Sequence, residues 1–216
     1  GDDLRTRCEK LLDKEQSTLD VMAGQVVVNT KTDKDLDTEQ KKDILETLGL
    51  EVVLADDDEI QTIKKLMGEN SRQFKKAYAV KNTKTQTCFD NYMKTVSNGK
   101  TELFWHGSRN QNWLNILSTG LMIRPAGAVH TGSMFGDGIY FADKAQKSIG
   151  YTSLRGSYWT SGGDDKAYLA LFSVHVGKQK DITHHNSSCY SLCESKIRND
   201  GYDSVFAHGG ADLRNN

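Results

Sequence analysis

Three short segments concentrate the side chains that could do chemistry: Trp105-His106-Gly107-Ser108, the stretch TGSMFGDGIYFAD at 131 to 143, and Lys147-Ser148-Ile149-Gly150-Tyr151. A histidine, several hydroxyls, two phenols and a number of glycines supply orienting hydrogen bonds, aromatic walls and main chain that no side chain covers. Gly107 directly follows a strand-like run, so its C=O and N–H can face a ligand. Ser148 and Tyr151 are three residues apart and share one face of a helix. In GIYFAD, alternation puts Ile139 and Phe141 on one side and leaves Tyr140 toward a cleft. The glycine-rich stretch is no phosphate cradle of the usual kind, because it lacks G-x-G-x-x-G and no Gly-Lys-Ser/Thr follows. No G-x-S-x-G elbow and no H-E-x-x-H helix occur, which removes two hydrolase classes. His184, His185, Cys189 and Cys193 form the one cluster of metal-ligand types. Adjacent histidines in an irregular polar loop seldom both reach one ion, so no metal is expected.

Taken in this order, the three segments resemble the catalytic domain of the poly(ADP-ribose) polymerase family, the diphtheria-toxin-like ADP-ribosyltransferases that use NAD as donor. The stretch GLEVVLADDDEIQTIKKLMGEN resembles that domain's opening strand and helix, and the resemblance runs from about Leu50 to Asn216. It implies transfer of ADP-ribose from NAD to a macromolecular acceptor with release of nicotinamide. The acceptor would be a protein, with nucleic acid as the alternative. Of the family's His, Tyr and Glu triad, the resemblance assigns His106 and Tyr140. His106 would hold the adenine-side ribose through its hydroxyls rather than act as a general base, and Ser108 could contact the same ribose. Gly107, Ser148 and Tyr151 would bind the nicotinamide end, and Lys147 and Arg124 are candidate phosphate partners. NAD is then a co-substrate, no metal is needed, and inhibitors of the nicotinamide and benzamide type should bind.

Resemblance aside, the residue types suit a site that binds a flat carboxamide ring and breaks a glycosidic bond to it. A carboxamide offers one C=O and one NH2, which the Gly107 peptide can pair with, and a branched side chain at 107 would fill that space. Ser148 can donate to the same carboxamide oxygen. Tyr151 would lie against one face of the ring and Tyr140 against the other, each wall contributing about 1 kcal/mol or more to holding a cationic pyridinium. Cleavage gives the ribose oxocarbenium character, which nearby negative charge stabilises. In the family that charge is a glutamate. The one glutamate after Glu102 is Glu194, ahead of the run YDSVFA, where the third triad member does not belong. GGADLRNN resembles the turn just before that glutamate, so the expectation is that it follows Asn216. The alternative is an NAD- or ADP-ribose-binding module with little or no transfer activity.

These side chains need a scaffold, and the chain of 216 residues is long enough for one sizeable domain and an appendage. The first hundred residues carry most of the charge, whereas all but four of the 18 aromatic residues follow residue 100, so the second half supplies the packing. Residues 1–48 read as a helical segment, with Leu4, Cys8, Leu11, Leu12 and Leu19 at helical spacing, and resemble at most a remnant of the family's regulatory helical subdomain. A second helix there runs from an Asp37 cap through Gln40 to Gly49, and a loop around 22–35 joins the two. Residues 49–216 read as the catalytic domain, incomplete at its C-terminus. There LEVVLA predicts a strand, Asp57 or Asp58 caps a helix closed by Gly68, and Lys76 to Lys81 alternates as a strand. A helix around Phe89 to Val96, a helix from Trp113 to Gly120 and a loop holding Pro125 follow. Next come a strand at GIYFAD, a helix over Ala145 to Tyr151, a long strand LALFSVHVG and a last strand YDSVFA. Strands outnumber helices, and the intervals are too short for regular crossovers. This argues for an α+β fold: two packed, mainly antiparallel sheets with peripheral helices, preceded by the short helical segment, as in the ADP-ribosyltransferase fold, and against a doubly wound sheet.

Twenty-eight basic against 29 acidic residues leave a formal charge of −1, so no net field draws the chain to nucleic acid or an anionic membrane. No apolar run approaches the ~20 residues that a bilayer crossing needs. Four dispersed cysteines fit a reducing compartment, and the chain reads as soluble and intracellular, nuclear or cytoplasmic in a eukaryote.

Overall fold

A computed structural model describes residues 44–123, 134–154 and 164–209. The expected helices and loop before Ile44, Pro125 and Arg124 lie outside the described residues. From Ile44 a short helix, α1 (Ile44–Thr47), runs into Gly49, whose φ of 72° turns the chain into β1 (Leu50–Leu54). Helix α2 (Asp57–Met67) is capped by Asp56 and not by Asp57 or Asp58. Asp56 Oδ1 accepts from the Glu59 N–H at 2.8 Å, and the Asp56 N–H donates to Glu59 Oε2 at 2.9 Å. Of three consecutive carboxylates, only Asp56 has a glutamate three positions on to complete this reciprocal pair. Gly68 ends the α-helix, and a 3-10 turn (Gly68–Gln73) leads to β2 (Tyr78–Asn82), antiparallel to β1.

The next helix, α3 (Thr83–Met93), starts six residues before the predicted Phe89. The cause is Asn82, whose Oδ1 accepts from the N–H groups of Lys84 and Thr85 at 3.0 and 3.1 Å. Its Nδ2 meanwhile donates to the carbonyls of Leu117 and Ser118, so one side chain starts α3 and holds the end of α4 (Trp113–Thr119).

The strand that matters most is β3 (Glu102–Gly107). It pairs antiparallel with β4 (Leu169–Val174), His106 opposite Ala170 and Gly107 opposite Leu169. The predicted long strand stops at Val174 because the chain turns through Gly177 (φ 59°) onto the Asp203 carboxylate, which accepts from the Lys178 N–H at 2.8 Å. On its other edge β3 meets a single residue. The Trp105 N–H donates to the Ala142 carbonyl and the Ala142 N–H to the Trp105 carbonyl, at 2.8 and 2.9 Å. GIYFAD is therefore not a strand: it touches β3 through this one bridge, and the chain before it turns tightly enough for the Tyr140 hydroxyl to bond its own loop. Helix α5 (Ala145–Ile149) is two residues shorter than expected.

One strand was not read from the sequence. β5 (Gln179–Ile182) pairs with β6 (Ser204–Ala207), and this pair is parallel, linked by a 3-10 turn (Ser187–Ser191) and helix α6 (Glu194–Asn199). The described residues thus form a mixed α+β arrangement with two antiparallel strand pairs and one parallel pair. Trp105, 3% exposed, lies at its centre with Trp113, Ala142 and Ala145. Among the described residues no helix is long and apolar enough to cross a membrane.

Candidate active site

Because β3 is pinned by β4 on one edge and by Ala142 on the other, the segment around Tyr140 is carried to His106. The His106 ring donates from Nδ1 to the Tyr140 carbonyl across 2.9 Å; a carbonyl only accepts, so this bond fixes the proton on Nδ1. Edge-on rings of Phe141, Phe172 and Trp113, with centroids 5.9 to 6.3 Å away, hold the imidazole in place. The Trp113 indole N–H beside it is buried and without a partner among the described residues.

Gly107 is enforced by packing, not by ligand access alone. A Cβ there would sit on the Ser148 carbonyl oxygen, with the Ser148 carbonyl carbon at 2.8 Å. The missing side chain lets α5 lie against the end of β3. A larger residue would strike protein before it met a ligand, which corrects the expectation that it would mainly fill the ligand's space. The same contact delivers Ser148 to the strand end. Ser148 is 4% exposed as a residue, and its hydroxyl is not among the buried polar atoms left without a partner. Tyr151 lies just past the end of α5, but its N–H still donates to the Ser148 carbonyl at 3.0 Å, so the two keep their one-turn relation. Its side chain is 63% exposed and free to meet a ligand.

Sequence reasoning passed over what fixes that turn. The Arg109 guanidinium donates to the Thr152 carbonyl at 3.0 Å, and the Asn110 N–H donates to Ser153 Oγ at 2.8 Å. Thr152 itself is 1% exposed. Arg109 and Asn110 directly follow the W-H-G-S segment, and that adjacency was the one available signal. Ser108 Oγ accepts from Asn112 Nδ2 at 3.0 Å, so its hydroxyl is oriented within its own loop.

The Tyr140 phenol donates to the Gly136 carbonyl at 2.7 Å and accepts from the Phe135 N–H at 3.1 Å. Burial raises its pKa above the ordinary value, the Phe135 N–H offsets part of this, and the charges of Asp137 and Tyr151 add to the rise. Tyr140 is thus a neutral phenol at physiological pH. Contacts run from Tyr140 to His106, from Gly107 to Ser148 and from Ser148 to Tyr151, an open circuit of five residues. Lys147 is exposed on the outer side of α5, and nothing draws it into that circuit.

Glu194 opens α6 and is ion-paired with Arg198 at 2.9 Å. His185 is bonded to the Met134 carbonyl, and among the described residues no three His, Cys, Asp or Glu side chains are grouped to hold a metal. A hollow of about 340 Å³ shares Phe141 and Phe172 with the surroundings of His106 but includes none of Gly107, Ser148 and Tyr151.

Residues 57–210 match the model of the poly(ADP-ribose) polymerase catalytic domain. A poly [ADP-ribose] polymerase-like protein of Invertebrate iridescent virus 6 is 32% identical over 143 residues, 65% of this chain and 74% of that protein. Poly [ADP-ribose] polymerase 2 of Zea mays is 36% identical over 112 residues, and that of Homo sapiens 40% identical over 94 residues. The aligned parts are 52% and 44% of this chain but only 16% and 15% of those longer proteins. The matched span runs from the first turn of α2 to just past β6 and contains every element that builds the circuit around His106. The chain belongs to the poly(ADP-ribose) polymerase catalytic-domain family.

Proposed function

We propose that residues 49–216 form an NAD-dependent ADP-ribosyltransferase domain that moves ADP-ribose to an acceptor, a protein in the first instance, and releases nicotinamide. The observation that carries this reading is the close approach of Gly107 to Ser148 at the end of β3, which brings the Ser148 hydroxyl and Tyr151 beside the strand end that carries His106. There the Ser148 hydroxyl can donate to a carboxamide oxygen. Tyr151 gives the ring a wall. His106 has its Nδ1 proton committed to Tyr140, so only Nε2 faces outward, as an acceptor for a ribose hydroxyl in the neutral ring. In the reaction the ribose–nicotinamide bond breaks, and its electron pair leaves with the ring, neutralising it. The ribose carbon passes through an oxocarbenium-like state and bonds to the acceptor atom, and where that atom carries a proton the proton is released to solvent. The part of His106, Tyr140, Gly107, Ser148 and Tyr151 is to hold both ends of the donor still while this happens. Lys147, exposed on α5, would reach the phosphates only by extending over the site.

A second reading, an NAD- or ADP-ribose-binding module, is favoured by Glu194, which is bound to Arg198 on α6 and so does not serve the ribose. Labelled NAD separates the two. Incorporation of label into the chain or a lysate with stoichiometric nicotinamide release supports transfer. Saturable binding of benzamide without incorporation supports the module, and absence of both removes the site.

A further inference from the structure

Behind Tyr140 lies a second layer of contacts. Its phenol is held by the Phe135 N–H and the Gly136 carbonyl, so the ring can be no better placed than the turn at residues 134–137. That turn is fastened to a segment some fifty residues further along. The Leu192 carbonyl accepts from the Asp137 N–H at 2.8 Å. Gly136, at φ 74°, lies so close to the Leu192 main chain that a Cβ would overlap it. The His185 ring donates from Nε2 to the Met134 carbonyl across 2.8 Å, which fixes the proton on Nε2. This ring stands edge-on to Phe135 and Tyr190, with centroids at 5.5 and 4.7 Å. Below it the Leu192 N–H donates to the carbonyl of buried Cys189 at 3.2 Å.

We infer that the segment from His185 to Leu192 is the positioning element for Tyr140, with His185 the positioning residue whose N–H sets the turn that holds the phenol. The histidine and cysteine cluster of this segment thereby has a use that is neither metal binding nor solvation. His185 does not touch the ligand; it acts through Met134, Phe135 and Gly136. The effect on ligand binding rests on the proposed role of Tyr140, whereas the effect on the phenol itself does not.

The test uses the whole chain labelled with 3-fluorotyrosine, the Tyr140 fluorine resonance being assigned by its loss in Tyr140→Phe. His185→Phe keeps a ring between Phe135 and Tyr190 but has no donor. His185→Gln keeps a donor near the Nε2 position. If the inference holds, the Tyr140 resonance titrates at lower pH in His185→Phe, as the freed phenol hydrates, and at the native pH in His185→Gln. Benzamide affinity, measured by calorimetry, falls about three- to tenfold in the Phe variant, the scale of one lost hydrogen bond, and stays near native in the Gln variant. An unmoved Tyr140 titration in His185→Phe overturns the inference. Equal displacement in both variants also overturns it, because the ring and not its N–H would then matter. His185→Asn, too short to reach Met134, replaces the Phe variant if that does not fold. The reading of the site is judged separately, by whether Tyr140→Ala weakens benzamide. If it does not, that reading fails while the titration still decides the role of His185.

Discussion

Replacing Gly107 by alanine adds one methyl at the point where β3 and α5 come closest. The new Cβ would overlap the Ser148 carbonyl oxygen, which is main chain and cannot rotate away. Relief requires shifting α5 from the strand end, so the cost lies in the upper part of the overpacking range, about 2–3 kcal/mol. At 2–4 °C per kcal/mol for a chain of this size, the thermal midpoint should fall by about 4–12 °C. The displacement also carries Ser148 and Tyr151 away from the end of β3, and benzamide affinity should fall with it. Gly138→Ala is the control. Nothing lies within 4 Å of its added Cβ, and its φ is not in the left-handed region. It should be neutral or stabilising by up to about 1 kcal/mol. Differential scanning fluorimetry and calorimetry on both variants read these quantities. A Gly107→Ala protein with native midpoint and native affinity would show that the close approach of β3 and α5 does not govern the site.

Tyr151→Ala should leave the thermal midpoint within about 1 °C, since the side chain is mostly exposed, while weakening benzamide by about two- to tenfold, the scale of one stacking contact. The reverse pattern would make it a structural residue. Cys193 should be the fastest of the described thiols to alkylate near pH 7. Its pKa is lowered, first by the Ser195 hydroxyl 3.2 Å away and then by the Lys196 N–H, so more of it is thiolate at neutral pH than of an ordinary cysteine. Ser195→Ala should slow that reaction, and equal rates at Cys88 and Cys193 in the native chain would discount the Ser195 contact. The raised pKa of Tyr140 gives folding stability a sign at alkaline pH. The folded phenol keeps its proton longer, so stability falls as pH rises from the ordinary tyrosine value through the folded one, and Tyr140→Phe should flatten that fall.

Several features were legible in the residues before any coordinates. The amphipathic α2 with its acidic cap, the strands β1 and β2, the stop at Gly120 and the Ser148 to Tyr151 spacing depend on neighbours within a few positions, and local rules reach that far. The errors have causes beyond that reach. The start of α3 was misplaced because Asn82 caps it while also binding Leu117 and Ser118, contacts across about 35 residues that no window contains. GIYFAD alternates like a strand, yet a strand needs a partner along its length, and only Ala142 finds one. β5 was missed because QKDI has little apolar alternation and is held by its parallel partner β6.

The sequence by itself determined which residue types could form the site and that the chain is one of this family, because short motifs and residue order survive without coordinates. Only the tertiary structure decided why position 107 must be glycine, which nitrogen of His106 carries the proton, and what holds Tyr140. The first two turn on groups some thirty to forty residues apart coming together, and the third on a turn fastened to residues some fifty positions further along. Such approaches are set by how strands and helices stack, and a linear spacing does not encode them.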